Sequence, residues 1–170
     1  MCAFIKKQVS LLHKNTLSPL VGESPEILIL GTLPGDESLL HREYYRNRRN
    51  RFWEVFTSLI CESFDSYADK AHALTMRRIA LWTVLESAER EGSTNWKLRH
   101  VKPNDILGFF QKYPTIDTIV FNGRDAEKYF LKYFGSSLPR VRRVVKPSTS
   151  STNTHETVES LRAKWKEIFK

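Results

Sequence analysis

The chain has 170 residues, with 27 Lys+Arg against 19 Asp+Glu for a formal charge of +8, and it is 41% hydrophobic and 27% charged. That balance excludes a disordered tail, a collagen-like rod and a low-complexity linker, and the length suits one domain with its own core. Apolar runs such as Ile27–Leu30 are far shorter than the ~20 residues of a membrane-spanning helix. Lys6, Lys7 and Gln8 interrupt any apolar signal core, while Cys2 and Cys61 provide neither a disulfide framework nor a metal quartet. A reducing, cytoplasmic setting without membrane contact is the expectation.

In chain order, residues 1–25 read as an N-terminal extension packing on a single domain that spans 1–170. Glu26–Gly31 (EILILG) is a short apolar run closed by glycine and predicts a buried strand. Phe52–Cys61 sets Phe52, Val55, Phe56, Leu59 and Ile60 at helical spacing. Arg78–Leu85 (RIALWTVL) predicts a strand running into a loop. Asn104 is positioned to cap a helix through Tyr113, with Ile106, Phe109 and Phe110 on one face and Pro114 beyond its end. Ile116–Phe121 is a further strand, closed by Asn122-Gly123. Arg124–Phe134 is a helix stopped by Gly135, Arg140–Val145 a basic-apolar strand, and His155–Phe169 an amphipathic helix carrying Val158, Leu161, Trp165 and Ile168.

Strands alternating with helices predict an α/β fold, a three-layer sandwich with a mainly parallel central sheet flanked by helices. Ligands of such sheets bind outside the carboxyl ends of the strands. Three loops fall there: after Leu30, after Phe121 and after Val145. Charge gathers beside them. Arg46, Arg48, Arg49 and Arg51 lie within six residues, with Arg42 upstream, and a second cluster holds Arg140, Arg142, Arg143 and Lys146. With a pI near 9.6, both clusters are candidate phosphate contacts flanking one end of the sheet.

The first loop, Gly31-Thr32-Leu33-Pro34-Gly35-Asp36-Glu37-Ser38, combines glycines that admit close backbone approach with a proline-fixed turn. It is followed by Tyr44-Tyr45-Arg46-Asn47-Arg48-Arg49-Asn50-Arg51-Phe52-Trp53. Aromatic faces stack bases, arginines hold phosphates, and an Asn can bond a base edge or orient a water. Asn122 could read a base edge, and Asn-Gly after a strand is equally a turn signal. Trp53, Phe52, Trp82 and Trp165 read as core, and His41 and His155 as solvated loop residues.

These segments resemble the uracil-DNA glycosylase superfamily, in particular its hypoxanthine (deoxyinosine) branch, related to the mismatch-specific uracil-DNA glycosylases. Gly31, Pro34, Gly35, Ser38 and Leu39 follow the pattern G-S-x-P-G-x-x-S-L. Tyr44, Tyr45, Arg49, Asn50, Phe52 and Trp53 follow Y-Y-A-H-P-R-N-x-F-W. Ala80-Leu81-Trp82, Arg90-Glu91-Gly92-Ser93, Asn104-Asp105, Phe121-Asn122-Gly123 and Pro147-Ser148-Thr149-Ser150 continue it, so the resemblance covers residues 26–168. It departs at Leu33, where the mismatch-specific enzymes carry a catalytic Asn, and at Arg46-Asn47-Arg48 in place of A-H-P. Thr83 stands in place of an Asp, Asn95 at a frequent acidic position, and Ser151-Thr152 in place of Pro-Ala.

The resemblance implies a DNA repair glycosylase that flips out a deaminated base, hypoxanthine or uracil, and hydrolyses its N-glycosidic bond to leave an abasic site. It implies Asn50 as the catalytic residue orienting water, Tyr45 (with Tyr44 in reserve) stacking on the base, and Leu33 and Asn122 beside it. Gly31, Pro34 and Gly35 form the active-site loop. Arg46, Arg48, Arg49, Arg51, Ser148, Thr149 and Ser150 would touch DNA, with Ser151 and Thr152 at a wedge tip. Thr154 or Asn153 could cap the last helix. No lysine stands at a catalytic position, so no strand-cutting lyase activity is expected. No metal or organic cofactor is implied. The expected partner is DNA containing a deaminated base, met by a monomer in an archaeal or bacterial cytoplasm at the nucleoid. A DNA-binding module without chemistry, or a flavodoxin-type nucleotide-binding domain, are the alternative readings.

Overall fold

Within Ile27–Gly31 the side chains alternate across a sheet, Leu28 and Leu30 to one face and Ile29 to the other, and all three are fully buried. A strand covered on both faces is the mark of a parallel sheet between helical layers. In a computed structural model that describes residues 12–90, 98–135 and 141–169, this strand is β2. It pairs in parallel with β3 (Ile79–Thr83) and β6 (Thr118–Asn122), and β7 (Arg142–Lys146) extends the sheet to the order β3-β2-β6-β7.

One face of this sheet packs against α4 (Ile106–Lys112) and α5 (Arg124–Phe134), where Ile106, Phe109, Ala126 and Phe130 join Leu28, Leu30, Ile119 and Phe121. The other face receives α2 (Phe52–Ile60), α3 (Tyr67–Met76) and α6 (Val158–Trp165), through Phe52, Val55, Phe56, Leu74, Leu161 and Trp165. The short α1 (Asp36–His41) follows the loop after β2. The three-layer α/β sandwich expected from the sequence is thus the fold observed. Among the described residues, no helix is long and apolar enough to cross a membrane.

A second, antiparallel sheet, β1 (Leu12–Asn15), β4 (Leu85–Arg90) and β5 (Arg99–Pro103), has no counterpart in the sequence reading. Arg78–Leu85 is two strands in place of one. The chain breaks at Val84, whose N–H donates to Gly31 O (2.9 Å), and Leu85 N–H donates to Thr32 O (3.1 Å). β4 therefore leaves the central sheet while its start stays tied to the loop after β2. Before β2, Leu20 bridges Leu81 on the edge strand β3.

Two helix caps differ from expectation. Asp105, not Asn104, caps α4 by accepting from Gly108 N–H (2.9 Å). Asn104 is buried and donates Nδ2–H to Thr83 O (2.8 Å), joining the helix start to β3. Thr157, in extended backbone (φ −88, ψ 170), caps α6 by accepting from Ser160 N–H (3.2 Å), which starts that helix later than His155 and leaves Asn153 and Thr154 in the preceding turns. Gly92, Ser93, Asn95 and Arg140 lie outside the described residues.

Candidate active site

Register brings the strand ends level: Gly31 lies opposite Thr83, Leu30 opposite Phe121, and Asn122 opposite Lys146. The loops leaving these ends enclose a cleft of about 180 Å³, walled by the Gly31–Ser38 loop, Tyr45, Asn50, Asn122 and the 148–152 loop. Gly123 makes this approach possible. Its φ of +101 favours glycine, and a Cβ there would sit 2.9 Å from Ser148 Cβ.

At the base of the cleft three side chains form one network. Thr149, fully buried, donates its N–H to Asn122 Oδ1 (2.9 Å) and accepts from Asn122 Nδ2 at Oγ1 (2.9 Å). Its hydroxyl donates to Asn50 Oδ1 (3.0 Å), which also accepts the Phe52 N–H (3.0 Å). Tyr45 sits alongside with φ +55, a left-handed conformation that is costly for a residue with a Cβ. Its ring stacks on Phe52 at 4.2 Å and 25°, which helps offset that cost. Burial pushes the Tyr45 hydroxyl up to about 12, and a hydrogen bond from the Asn122 amide pulls it the other way, less strongly.

The structure separates the sequence candidates. Asn50, Tyr45, Asn122 and the Gly31-Pro34-Gly35 loop meet at the cleft. Leu33 borders it while its buried side chain belongs to the core cluster that also holds Leu85 and Ala88. Tyr44, the reserve candidate, also lines the cleft, but little of its ring is open. It is buried, donates its hydroxyl to Leu17 O and Ser18 O (3.1 Å each), and is held far above the ordinary phenol range, chiefly by burial. Thr149 is a buried link instead of a DNA contact.

Arg51 is a brace in place of a phosphate contact. Its guanidinium donates to Ser150 O (2.6 Å), Asn153 O (2.9 Å), Thr149 O (3.4 Å) and Glu156 O, which gathers the loop after β7 around one cation. Inside that loop, Ser148 Oγ accepts from Ser150 N–H (3.2 Å) and Ser150 Oγ from Thr152 N–H (3.3 Å), leaving Ser151 and Thr152 exposed at the tip.

The arginine-rich turn stands at the rim. Arg46 pairs with Glu43 (2.9 Å), while Arg48 and Arg49 are exposed, and among the described residues neither is ion-paired. They line a hollow with His41 and Ser151 beside the cleft mouth. Within the second basic cluster, Lys146 lies at the cleft end opposite Asn122, but Arg142 and Arg143 do not flank this mouth as expected. Parallel register sets Arg142 opposite Thr118, at the amino end of the sheet, four residues or about 13 Å from Lys146. Lys146 itself pairs with Glu167 (2.6 Å), and Arg143 lies over the Phe130 ring at 5.7 Å.

Sequence reasoning missed the supports. Arg90 on β4 is 1% exposed and donates to Pro34 O (2.5 Å), with Asp36 3.7 Å away and Lys14 of β1 2.9 Å from the same carboxylate. Burial pushes the Arg90 guanidinium down from its ordinary value, and Asp36 opposes that shift. The second sheet thereby holds the Gly31–Ser38 loop in place. Thr83, at the family's Asp position, is buried 2.5 Å from Thr16 Oγ1 and donates to Leu85 O (3.0 Å). Among the described residues, no three His, Cys, Asp or Glu side chains cluster as metal ligands, and no lysine lines the cleft.

A small cleft with an aromatic wall and amide side chains, opening at the carboxyl end of a parallel sheet beside exposed arginines, defines a class of enzyme that handles a single base of a nucleic acid. The chain belongs to the uracil DNA glycosylase superfamily, whose family model matches residues 19–169. It is similar to a hypoxanthine DNA glycosylase of Methanosarcina acetivorans, 34% identical over 161 residues that cover 92% of this chain and 98% of the relative. A hypoxanthine DNA glycosylase of Methanosarcina barkeri is 31% identical over 163 residues, covering 94% and 99%. Among solved structures, a solution NMR structure from Methanosarcina acetivorans, given as a candidate uracil DNA glycosylase, superposes with a TM-score of 0.77. It is 33% identical, and the alignment covers 93% of this chain and 97% of the other.

Proposed function

We propose that this protein is a monofunctional DNA glycosylase that removes hypoxanthine, and uracil as a second substrate, from DNA. The observation that carries the reading is the meeting of Tyr45 and Asn50 in one cleft at the sheet end, in a chain about one-third identical to enzymes named for hypoxanthine. A base inside a duplex cannot enter such a cleft, so the nucleotide must rotate out at a cost of a few kcal/mol. Stacking on Tyr45 and phosphate contacts from Arg48 and Arg49 offset that cost.

As the C1′–N bond breaks, positive charge develops on the sugar and negative charge on the departing base. The DNA phosphates stabilise the first; N–H donors of the Gly31–Gly35 loop and the amide side chains of the cleft stabilise the second. Water then forms the new C1′–O bond, one of its protons goes to the base, and an abasic site remains. Strand cleavage would need an amine to form an imine with the sugar, and the cleft supplies no lysine for it. The reading has the enzyme working as a monomer on nucleoid DNA of an archaeal or bacterial cell.

Free base released from inosine- and uracil-containing duplexes, measured by chromatography, tests it. Wild type is expected to release hypoxanthine, and Asn50→Ala to lose most of that rate. Salt-sensitive binding with no released base, even at excess enzyme, would leave a binding module in place of an enzyme.

A further inference from the structure

The cleft network has a direction, set by two main-chain groups. A backbone N–H only donates. Because Thr149 N–H points at the Asn122 side chain (2.9 Å), the atom it meets is Oδ1, and the Asn122 amino group must face Thr149 Oγ1 (2.9 Å). That amino group also only donates, so Thr149 Oγ1 accepts there and spends its single proton on Asn50 (3.0 Å). The Phe52 N–H reaches the same Asn50 oxygen from the other side (3.0 Å). Both lone pairs of Asn50 Oδ1 are then occupied. Turning the Asn50 amide over would set its amino group against the Phe52 N–H, a donor that cannot reverse. What remains is Nδ2, for which no partner exists among the described residues, on a side chain that lines the cleft.

We propose that Thr149 is a positioning residue that holds the Asn50 carboxamide with its oxygen inward and its amino group toward the substrate, so that Asn50 acts as a hydrogen-bond donor to the departing base. This revises the sequence expectation that Asn50 orients water. Orienting a water through its O–H takes an acceptor, and the acceptor end of Asn50 is consumed. A donor instead stabilises the negative charge that builds on the base as its bond to sugar lengthens, on a carbonyl oxygen or ring nitrogen that hypoxanthine and uracil both offer. The carboxylates at the cleft's edge are engaged elsewhere, Asp36 with Lys14 (2.9 Å) and Glu37 with Asn47 (3.1 Å).

The inference rests on the glycosylase reading, and single-turnover base release with the full chain on an inosine duplex separates the two. Wild type that releases neither hypoxanthine nor uracil overturns the reading of function. With active wild type, Thr149→Val, which keeps the shape and loses the hydroxyl, is expected to slow the maximal rate about 10- to 100-fold. The enzyme concentration at half-maximal rate stays unchanged, and Thr149→Ser restores the rate. In an Asn50→Ala background the same Thr149→Val change is expected to cost nothing further, because it acts through Asn50.

Asn50→Asp decides the polarity. It replaces the donor with a carboxylate oxygen and is expected to fall to the level of Asn50→Ala at neutral pH. A Thr149→Val enzyme as fast as wild type, additive losses in the double variant, or an Asn50→Asp enzyme as fast as wild type would each overturn the proposal. Thermal melts of every variant guard the comparison: a rate loss that Thr149→Ser fails to rescue, with a matching drop in Tm, marks a merely structural threonine and overturns it as well.

Discussion

Two arginine roles can be told apart by salt. Each phosphate neutralised on B-DNA contributes about −0.9 to the slope of log K against log salt. Arg48 and Arg49 are exposed at the rim, whereas the Arg51 guanidinium is already shared among four carbonyl oxygens. Replacing Arg48 and Arg49 together with Gln is therefore expected to make the slope shallower by about 1.8 while Tm stays constant. Arg51→Met should do the reverse. Removing a cation from four carbonyls in a half-buried setting forfeits about 2–3 kcal/mol, after discounting about 1 kcal/mol per bond for exposure. At about 2–4 °C per kcal/mol for a chain of this size, Tm falls by about 4–12 °C. Fluorescence anisotropy of a labelled uncleaved duplex from 50 to 300 mM salt, with a melt of each variant, supplies both numbers. An Arg51→Met protein with intact Tm and a slope shallower by about 0.9 would refute the brace.

Gly123→Ala places a Cβ 2.9 Å from Ser148 Cβ in a left-handed backbone, so a loss of about 1–3 kcal/mol in chemical denaturation is expected, with slower base release as the cleft wall shifts. Tyr45→Phe keeps the ring on Phe52 and should retain most activity, while Tyr45→Ala removes about 1–3 kcal/mol of base stacking and raises the half-saturating concentration accordingly, by titration. Tyr44 and Tyr45 both ionise well above the ordinary phenol value of 10.0, chiefly because burial disfavours the phenolate. The protonated forms thus stabilise the fold fully below about pH 10, and that contribution drains away as pH climbs toward 12 and beyond. Ultraviolet titration at the phenolate band should find two of the six tyrosines silent until the protein unfolds in alkali. Asp105→Ala, which removes a helix cap, should cost about 1 kcal/mol, and Asn104→Ala, which strips a buried bond to Thr83 O, about 1–3 kcal/mol in the same denaturation assay.

The central layers were legible because their pattern is local. β2 and β6 are continuous apolar runs, and α2 and α5 carry buried residues at helical spacing. The second sheet was not, since the alternation in Leu85–Arg90 buries Leu85, Ser87, Ala88 and Arg90, two of them polar, and Arg99–Pro103 is basic throughout its exposed positions. Composition alone reads such strands as loop. At the site, Asn50, Tyr45 and the Gly31–Gly35 loop were found by residue type and order. Thr149, Arg51 and Tyr44 were given the wrong neighbours, because a hydroxyl, a guanidinium or a phenol names its chemistry and leaves open whether it faces solvent, core or a carbonyl 98 or more residues away along the chain. The arginines after residue 140 failed for a different reason. Nearness in sequence to Lys146 is not nearness to the cleft, because a strand carries its two ends apart at about 3.3 Å per residue.

The supports share one physical logic. A donor stabilises a charge that appears only in the transition state to the extent that it is already aimed, with no reorganisation left to do when the bond breaks. Each wall of this cleft is aimed by a group outside it. Arg90, itself buried, fixes Pro34 from the second sheet, Arg51 draws the 149–156 loop inward, and Phe52 N–H with Thr149 locks Asn50. The burial that makes Arg90 an expensive place for a charge also makes it a stiff one, with Pro34 O and Asp36 as its partners. With Arg51 and Arg90 tied to the chain's own carbonyls and Arg48 and Arg49 exposed on the rim, the proposed glycosylase lets the DNA deform while the cleft stays put. The flipped base then meets donors already in position, and the cost of the rotation falls on the duplex.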